Sequence, residues 1–450
     1  MPDKKPFFKI GFLCSPNLGI MDNWLPVIVL LKEKCPALEL TLFISKAGSV
    51  QFINQENVLI KLAETLFDRI IFKTHSGLWL EVNSFSEAIS VNRLGQVPKL
   101  LIQLLDRFAH IPVLKYLSRP VYLIYGIIDR YRFKQKLISL EVVNHDLDSL
   151  LFDVYEEHKV YNAELIKTMI GKPKYSICHG INIDLDPIVC RCPGGRDKLD
   201  VRAYLFSKDE IDYYTKTFCL SENQLRVVGI PRHEDAWIMK MLDRQESLEP
   251  AIPTDTYVFI ISRSLSPYFP YERKKKALID IKRLVIDALN FKIIIKLHPK
   301  ESHDGLYEDV FGIDKQGKEW MYSDAHPFYI GRRAFFAISF FSGVAIDMIA
   351  LDIPVVEYLD LRGLPAYDND KALRDETGDP VFSYRYLGFV LGASNYDQLR
   401  SHVSLIMRSR TQVIHRFRSV YHEKFPDATG TPNGIATEIL TDLNGGFISQ

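Results

Sequence analysis

The stretch KIGFLCSPNLGIMDNWLPVIVLLKEKCPALELTLFI, residues 9–44, decides the fold. Lys9 to Cys14 is a short apolar run, and Ser15 to Asn23 is a loop marked by Pro, Asn and Gly. Trp24 to Glu33 is amphipathic, and Leu38 to Ile44 is a second apolar run. Strand, helix and strand in so short a span make a βαβ unit, and parallel neighbours joined by a helical crossover predict a parallel sheet covered by helices.

The same alternation continues outward. Short apolar runs recur at Arg69 to Lys73, Ser149 to Val154, Tyr175 to Cys178, Arg202 to Phe206 and Leu225 to Val228, each closed by a polar or Gly-containing break. Between Met241 and Thr256 the chain reads MLDRQESLEPAIPTDT, a polar stretch with two prolines that predicts a linker. The pattern then restarts. Strands are predicted at Tyr257 to Ile261, Lys292 to Leu297, Ala334 to Phe340, Pro354 to Tyr358 and Phe389 to Leu391, with helices at Tyr271 to Leu289 and Gly343 to Leu351. The expected architecture is therefore α/β, with two Rossmann-like, doubly wound parallel-sheet domains facing across a cleft. The boundaries are 1–245, 256–425 and a closing helix in 426–450 that returns to the first domain. Open α/β sheets bind ligands beyond the carboxyl ends of their strands, so function is expected just after strand ends.

Composition narrows the classes. The 450 residues are 47% hydrophobic and 25% charged, which excludes a mainly disordered or collagen-like chain. Lys plus Arg and Asp plus Glu both number 56, so no global positive field recruits nucleic acid. Apolar runs such as Trp24 to Leu31 fall far short of the ~20 residues that span a bilayer. The N-terminus carries no secretory pattern, and six cysteines are too few for a disulfide scaffold. Reduced thiols and a cytoplasmic location are expected.

Four constellations follow strand ends. In Ile293-Ile294-Ile295-Lys296-Leu297-His298-Pro299-Lys300 an apolar strand delivers an imidazole to its carboxyl end and Pro stops the ladder. Such a ring can donate to a phosphate oxygen or serve as an acid; the plain alternative is a solvated turn. In Ser339-Phe340-Phe341-Ser342-Gly343-Val344-Ala345-Ile346-Asp347 a strand runs into a helix. Ser342 is expected as its N-cap, and Gly343 leaves the first N–H groups open to an anion. Cys178-His179-Gly180 places a second imidazole after a strand, and Gly229-Ile230-Pro231-Arg232 places a guanidinium whose fork suits phosphate. The alternatives are a structural His179, and a surface bridge from Arg232 to Glu234 or Asp235.

In order along the chain, His-Gly, Gly-x-Pro-Arg, Lys-x-His-Pro and Ser-Gly-Val-x-x-Asp followed by Pro-Val resemble the bacterial glycerophosphotransferases that use CDP-glycerol. They are also similar to capsule and lipopolysaccharide glycosyltransferases that use CMP-activated acidic sugars such as Kdo or sialic acid. The match covers about Tyr175 to Tyr358. It implies the GT-B architecture, with His298, Ser342 and Gly343 on the donor phosphate and His179 as a catalytic residue. Arg232, Lys296, Pro299, Ser339 and Asp347 belong to the same donor-binding motifs. Phe341-Ser342-Gly343 replaces a Tyr-Ser-Ser pattern, and Cys178 stands where those enzymes usually carry Trp, which departs from the CDP-glycerol type.

An acceptor-side base is also needed. Asp153 closes the Ser149 to Val154 strand, with Glu156 and Glu157 a turn further on and Asp22 in reserve; its alternative is a helix-start Asp. No carboxylate, His or Cys spacing predicts a metal, and no cofactor is expected beyond the nucleotide-activated donor, which is a substrate. The segment 97–136 mixes Leu, Ile and Tyr with Arg107, Arg119, Arg130, Arg132, Lys134 and Lys136. It suits helices lying on anionic lipid at the inner-membrane surface, or helices packed on the first sheet. The cluster Lys274, Lys275 and Lys276 reads as a solvated helix face. The leading expectation is a transferase moving an acidic sugar from a cytidine nucleotide donor to a saccharide or lipid-linked acceptor. Its rivals are CDP-glycerol transfer, a sugar-nucleotide epimerase or hydrolase, and a catalytically decayed assembly factor.

Overall fold

The structure is a computed structural model. It describes residues 8–14, 19–44, 57–74, 77–91, 145–154, 171–181, 200–248, 255–267, 269–301, 303–364 and 373–445, with isolated positions at 130–143, 165–169 and 252. The chain forms two compact units: 1–54, 59–234 and 428–450 make the first, and 55–58 with 235–427 the second.

In the first unit the apolar runs are strands β1 (Lys9–Cys14), β2 (Glu39–Ile44), β3 (Arg69–Lys73), β4 (Trp79–Val82), β5 (Ser149–Phe152), β6 (Lys174–Ile177), β7 (Arg202–Leu205) and β8 (Leu225–Val227). They form one sheet in the order β4-β3-β2-β1-β5-β6-β7-β8, parallel throughout except for β4 against β3. The central strands are apolar without alternation because both faces are covered. Gly11 is required in β1: a Cβ there would lie 2.8 Å from the Leu147 side chain and 3.0 Å from that of Phe43.

Helix α1 (Gly19–Lys34) buries most of its first three turns, and Trp24 Nε1 donates to Phe152 O at 3.2 Å, tying it to the end of β5. The last helix of this unit, Thr431–Gly445, packs on α1. Its Asp442 accepts from Tyr175 OH at 2.7 Å and pairs with Arg202 at 2.6 Å, while Glu438 accepts from Tyr204 OH at 3.0 Å.

The second unit holds β9 (Tyr257–Ile261), β10 (Lys292–Lys296), β11 (Trp320–Tyr322), β12 (Phe336–Ser339), β13 (Val355–Tyr358) and β14 (Leu391–Ala393). The order is β11-β10-β9-β12-β13-β14, with every pairing parallel. Each sheet reverses direction next to its first strand, between β1 and β5 and between β9 and β12. Those reversals are the crevices where doubly wound sheets accept ligands.

Several expectations change. A helix, Asp235–Glu246, occupies the approach to the predicted linker and clusters with the second unit, because Trp237, Ile238, Met241 and Leu242 give it a buried face. The last strand falls at Leu391–Ala393 rather than Phe389 to Leu391. Lys274 is not solvated: it is buried on the helix Tyr271–Lys282 by a partner from a distant loop. Cys14, Cys35 and Cys178 are in no disulfide, but Cys219 is disulfide-bonded; too few cysteines for a scaffold still suffice for one bridge. No described helix is long and apolar enough to cross a membrane. The segment 97–136 lies almost wholly outside the described residues, as do Glu156 and Glu157.

Candidate functional site

In the first unit the crevice beside β5 is built from β5, β6 and α1. Asp153 follows β5 and His179 follows β6, and parallel pairing of these strands brings the two together from 26 residues apart. His179 Nδ1 lies 2.6 Å from Asp153 Oδ2, and the His179 backbone N–H donates to the same oxygen at 3.0 Å. The Asp153 side chain is 0% exposed and that of His179 20% exposed, so the carboxylate sits behind the ring and the ring reaches the surface. A carboxylate accepts from Nδ1–H, which makes Nε2 the basic nitrogen of this imidazole.

The surroundings are densely polar. Asn23 Nδ2 donates to Cys178 O at 2.7 Å, and Arg232 Nη1 donates to Asn23 Oδ1 at 2.9 Å with its Nε 3.7 Å from Asp22 Oδ2. Arg232 is thus buried in the first unit against α1, not on the surface as the alternative of an exposed bridge had it. Burial pushes the Glu210 carboxyl up to about 8, against the pull of the Ser207 and Phe206 backbone N–H groups. Burial also raises the Cys178 thiol well above its ordinary value, with the Asp153 and Glu210 carboxyls adding to it. Ligand atoms of Asp153, Cys178 and His179 lie within 4.8 Å of one another, a grouping that linear spacing does not reveal. Within this grouping Asp153 and His179 are hydrogen-bonded to each other.

In the second unit three strand ends converge. His298 follows β10; its Nδ1 accepts from the Lys300 backbone N–H at 3.1 Å, which leaves the ring proton on Nε2. Burial, together with the Arg263, Lys300 and Lys274 cations, pushes its pKa down to about 4, so the ring is a neutral donor at pH 7. After β12, Ser339 Oγ accepts from Ser342 N at 3.2 Å and Ser342 Oγ accepts from Val344 N at 3.4 Å. The helix begins at Val344 with Gly343 as N-cap, one residue later than expected, because Phe341 takes a left-handed φ of 63° and carries the chain one step further. A non-glycine residue in that region stores strain and is held here by packing: Phe341 stacks on Phe382 at 3.8 Å.

Arg263, after β9, is the residue that the sequence reading passed over. Its guanidinium lies 4.9 Å from the centre of the Phe341 ring and donates to Phe341 O, placing a cation at the second crevice. The signal was present, since Arg263 directly follows the apolar run Tyr257 to Ile261 and Ser262, but no motif marks it. Lys296 points elsewhere, donating to Ala325 O at 2.9 Å and Asp324 O at 3.2 Å. Ser339 and Asp347 are buried, and Pro299 is half-buried.

The fold of this chain recurs in solved structures. The wall teichoic acid polymerase TagF matches over 98% of this chain and 90% of its own, at 11% identity and a TM-score of 0.54. This is the GT-B fold. Two further GT-B structures match end to end. S. aureus MnaA with UDP does so over 98% of both chains at 10% identity and a TM-score of 0.53. The UDP-GlcNAc 2-epimerase of Neisseria meningitidis bound to UDP-GlcNAc covers 96% of this chain and 99% of its own at 12% identity, also with a TM-score of 0.53. No family model and no curated protein matches the chain.

Proposed function

We propose that this protein is a nucleotide-dependent transferase of surface-polymer synthesis, moving a group from a nucleoside diphosphate-activated donor to a saccharide or polyol hydroxyl. The observation that carries the reading is the His179–Asp153 pair. A carboxylate 0% exposed and 2.6 Å from Nδ1 orients an imidazole whose Nε2 takes a proton from an acceptor hydroxyl. The second unit holds the donor: His298 gives a neutral Nε2–H to a phosphate oxygen, and Arg263 supplies positive charge as the nucleotide leaves. Ser342 and Gly343 close the turn beside them. Arg232 acts by fixing Asp22 and Asn23 rather than by gripping phosphate.

The named GT-B neighbours support a diphosphate donor over the CMP-activated acidic sugar expected from the sequence, since they carry CDPG, UDP and UDP-GlcNAc and none of the three a CMP-sugar. Glycerol phosphate transfer from CDP-glycerol is one form of this reaction, and sugar transfer from a UDP-sugar another. Placement on the cytoplasmic membrane face, through residues 97–136, belongs to the same proposal.

The test is 31P NMR of reactions containing UDP-GlcNAc, CDP-glycerol or a CMP-sugar with a glycerol phosphate or saccharide acceptor. Diphosphate-donor consumption that requires acceptor supports the reading; consumption of the CMP-sugar alone overturns it. The end-to-end match to a UDP-GlcNAc 2-epimerase supports a second reading, epimerisation or hydrolysis, which predicts turnover of UDP-GlcNAc with no acceptor present.

A further inference from the structure

Beneath the His298 turn lies a buried polar network that the reaction as described does not use. Glu301 is its centre. Its carboxylate pairs with Lys274 Nζ, accepts from Ser262 Oγ at 2.6 Å and Tyr307 OH at 3.3 Å, and accepts from the His298 backbone N–H at 3.2 Å. The Glu301 backbone N–H donates to His298 O at 2.8 Å, so His298 is gripped at both its peptide groups by one residue. Lys274 and Glu301 are 2% and 6% exposed. Lys274 also donates to Arg263 O at 3.1 Å and lies 4.9 Å from the centre of the Tyr307 ring. One ammonium therefore ties the turn after β9, which carries Arg263, to the turn after β10, which carries His298.

A buried ion pair is a weak source of net stability, because desolvation offsets most of the attraction. What it does provide is geometry. Sequence distance underlines this, since Lys274 and Glu301 meet from 27 residues apart and join loops from adjacent strands. We propose that Lys274 and Glu301 are positioning residues of the donor site, which hold the His298 turn so that Nδ1 faces the Lys300 N–H and Nε2–H is directed outward as the phosphate donor. The inference rests on the second unit holding the nucleotide. The charged groups around the imidazole are Arg263 from the turn after β9, Lys274 from the helix, and Lys300 and Glu301 from its own turn.

The experiment uses the full chain labelled with 15N-histidine. Long-range 1H–15N spectra report each ring's tautomer, and the His298 signal is the one lost in His298→Ala. In the wild type it is expected in the Nε2–H form and unchanged from pH 5 to 8. Lys274→Met leaves a buried carboxylate unpaired and can unfold the unit, so the decisive variants are Glu301→Gln and the double change Lys274→Met with Glu301→Gln. Both are expected to give a mixture of tautomers and to weaken UDP or CDP binding about tenfold, while Lys274→Arg restores the wild-type spectrum. Lys276→Met, on the exposed side of the same helix, should change neither. The proposal is overturned if the double variant unfolds at the wild-type temperature yet keeps the His298 tautomer and the nucleotide affinity. If wild type binds neither nucleotide, the donor reading falls, and the ring spectrum still decides the positioning role.

Discussion

Replacing Asp153 by Asn removes one charge and almost no volume. Asp153 Oδ2 accepts two hydrogen bonds, from His179 N and from Nδ1. Because both fall on one atom, an amide NH2 placed there donates to Nδ1 and gives up the His179 N–H bond, which moves the ring proton to Nε2, where the proposed base must be empty. An amide oxygen placed there keeps both bonds and loses only the charge that favours the imidazolium. General base catalysis contributes about 10²–10⁴-fold, and a wrong-tautomer substitution in a serine protease triad costs about 10⁴ in kcat. A fall of about 10³-fold in kcat, or about 4 kcal/mol in the barrier, is expected here. Stability should fall by only about 1–3 kcal/mol for the lost charge-assisted bond. The assay is single-turnover nucleotide release at saturating donor and acceptor, with UDP or CDP affinity measured alongside. Affinity should hold within about twofold, because the proposed donor residues, His298 and Arg263, belong to the other unit. A variant that folds and turns over within about threefold of wild type from pH 6 to 9 would refute the base assignment.

His298→Ala should abolish nucleotide stabilisation, which for a ligand at 100 times its Kd is about 2.7 kcal/mol in the wild type, read as a raised melting midpoint. Glu357 is buried at the end of β13, its Oε2 has no hydrogen-bond partner, and burial pushes its pKa up to about 8 against the Arg385 and Arg263 cations. A carboxyl whose folded pKa lies above its unfolded value contributes stability that is full below about pH 4.5 and lost as pH rises through 8. The wild-type midpoint should therefore fall across that window, and Glu357→Gln should reduce the slope. Asp442→Asn weakens the clamp on Arg202 and Tyr175; a loss of about 1–3 kcal/mol is expected in urea titrations, with kcat unchanged.

Fold and site differ in how far the sequence exposes them. Strand runs such as Tyr257–Ile261 and Arg69–Lys73 stand at their predicted bounds because apolar runs between turn residues encode burial locally. The three-residue edge strand Trp320–Tyr322 and the four-residue Trp79–Val82 are missed because runs so short leave little pattern to read. His298 and His179 were legible as imidazoles after strand ends. Their opposite tautomers were not, because one is set by a backbone N–H two residues away and the other by a carboxylate on a neighbouring strand. Arg232 reaches Asn23 across 209 residues, and Lys274 reaches Glu301 across a strand; neither partner leaves a trace in local periodicity.

The return of the last helix to α1 sets an order on biosynthesis. A ribosome adds about 5–20 residues per second, so the roughly 200 residues of the second unit take about 10–40 s to appear between the two parts of the first. Throughout that interval Tyr175, Tyr204 and Arg202 lack the acidic helix that receives them. The second unit is contiguous apart from residues 55–58 and can fold as it emerges, whereas the first waits for residues 428–450. A chain truncated before Ala428 should expose the first sheet to proteases while the second unit is resistant, which makes residues 428–450 the segment on which the whole first unit depends.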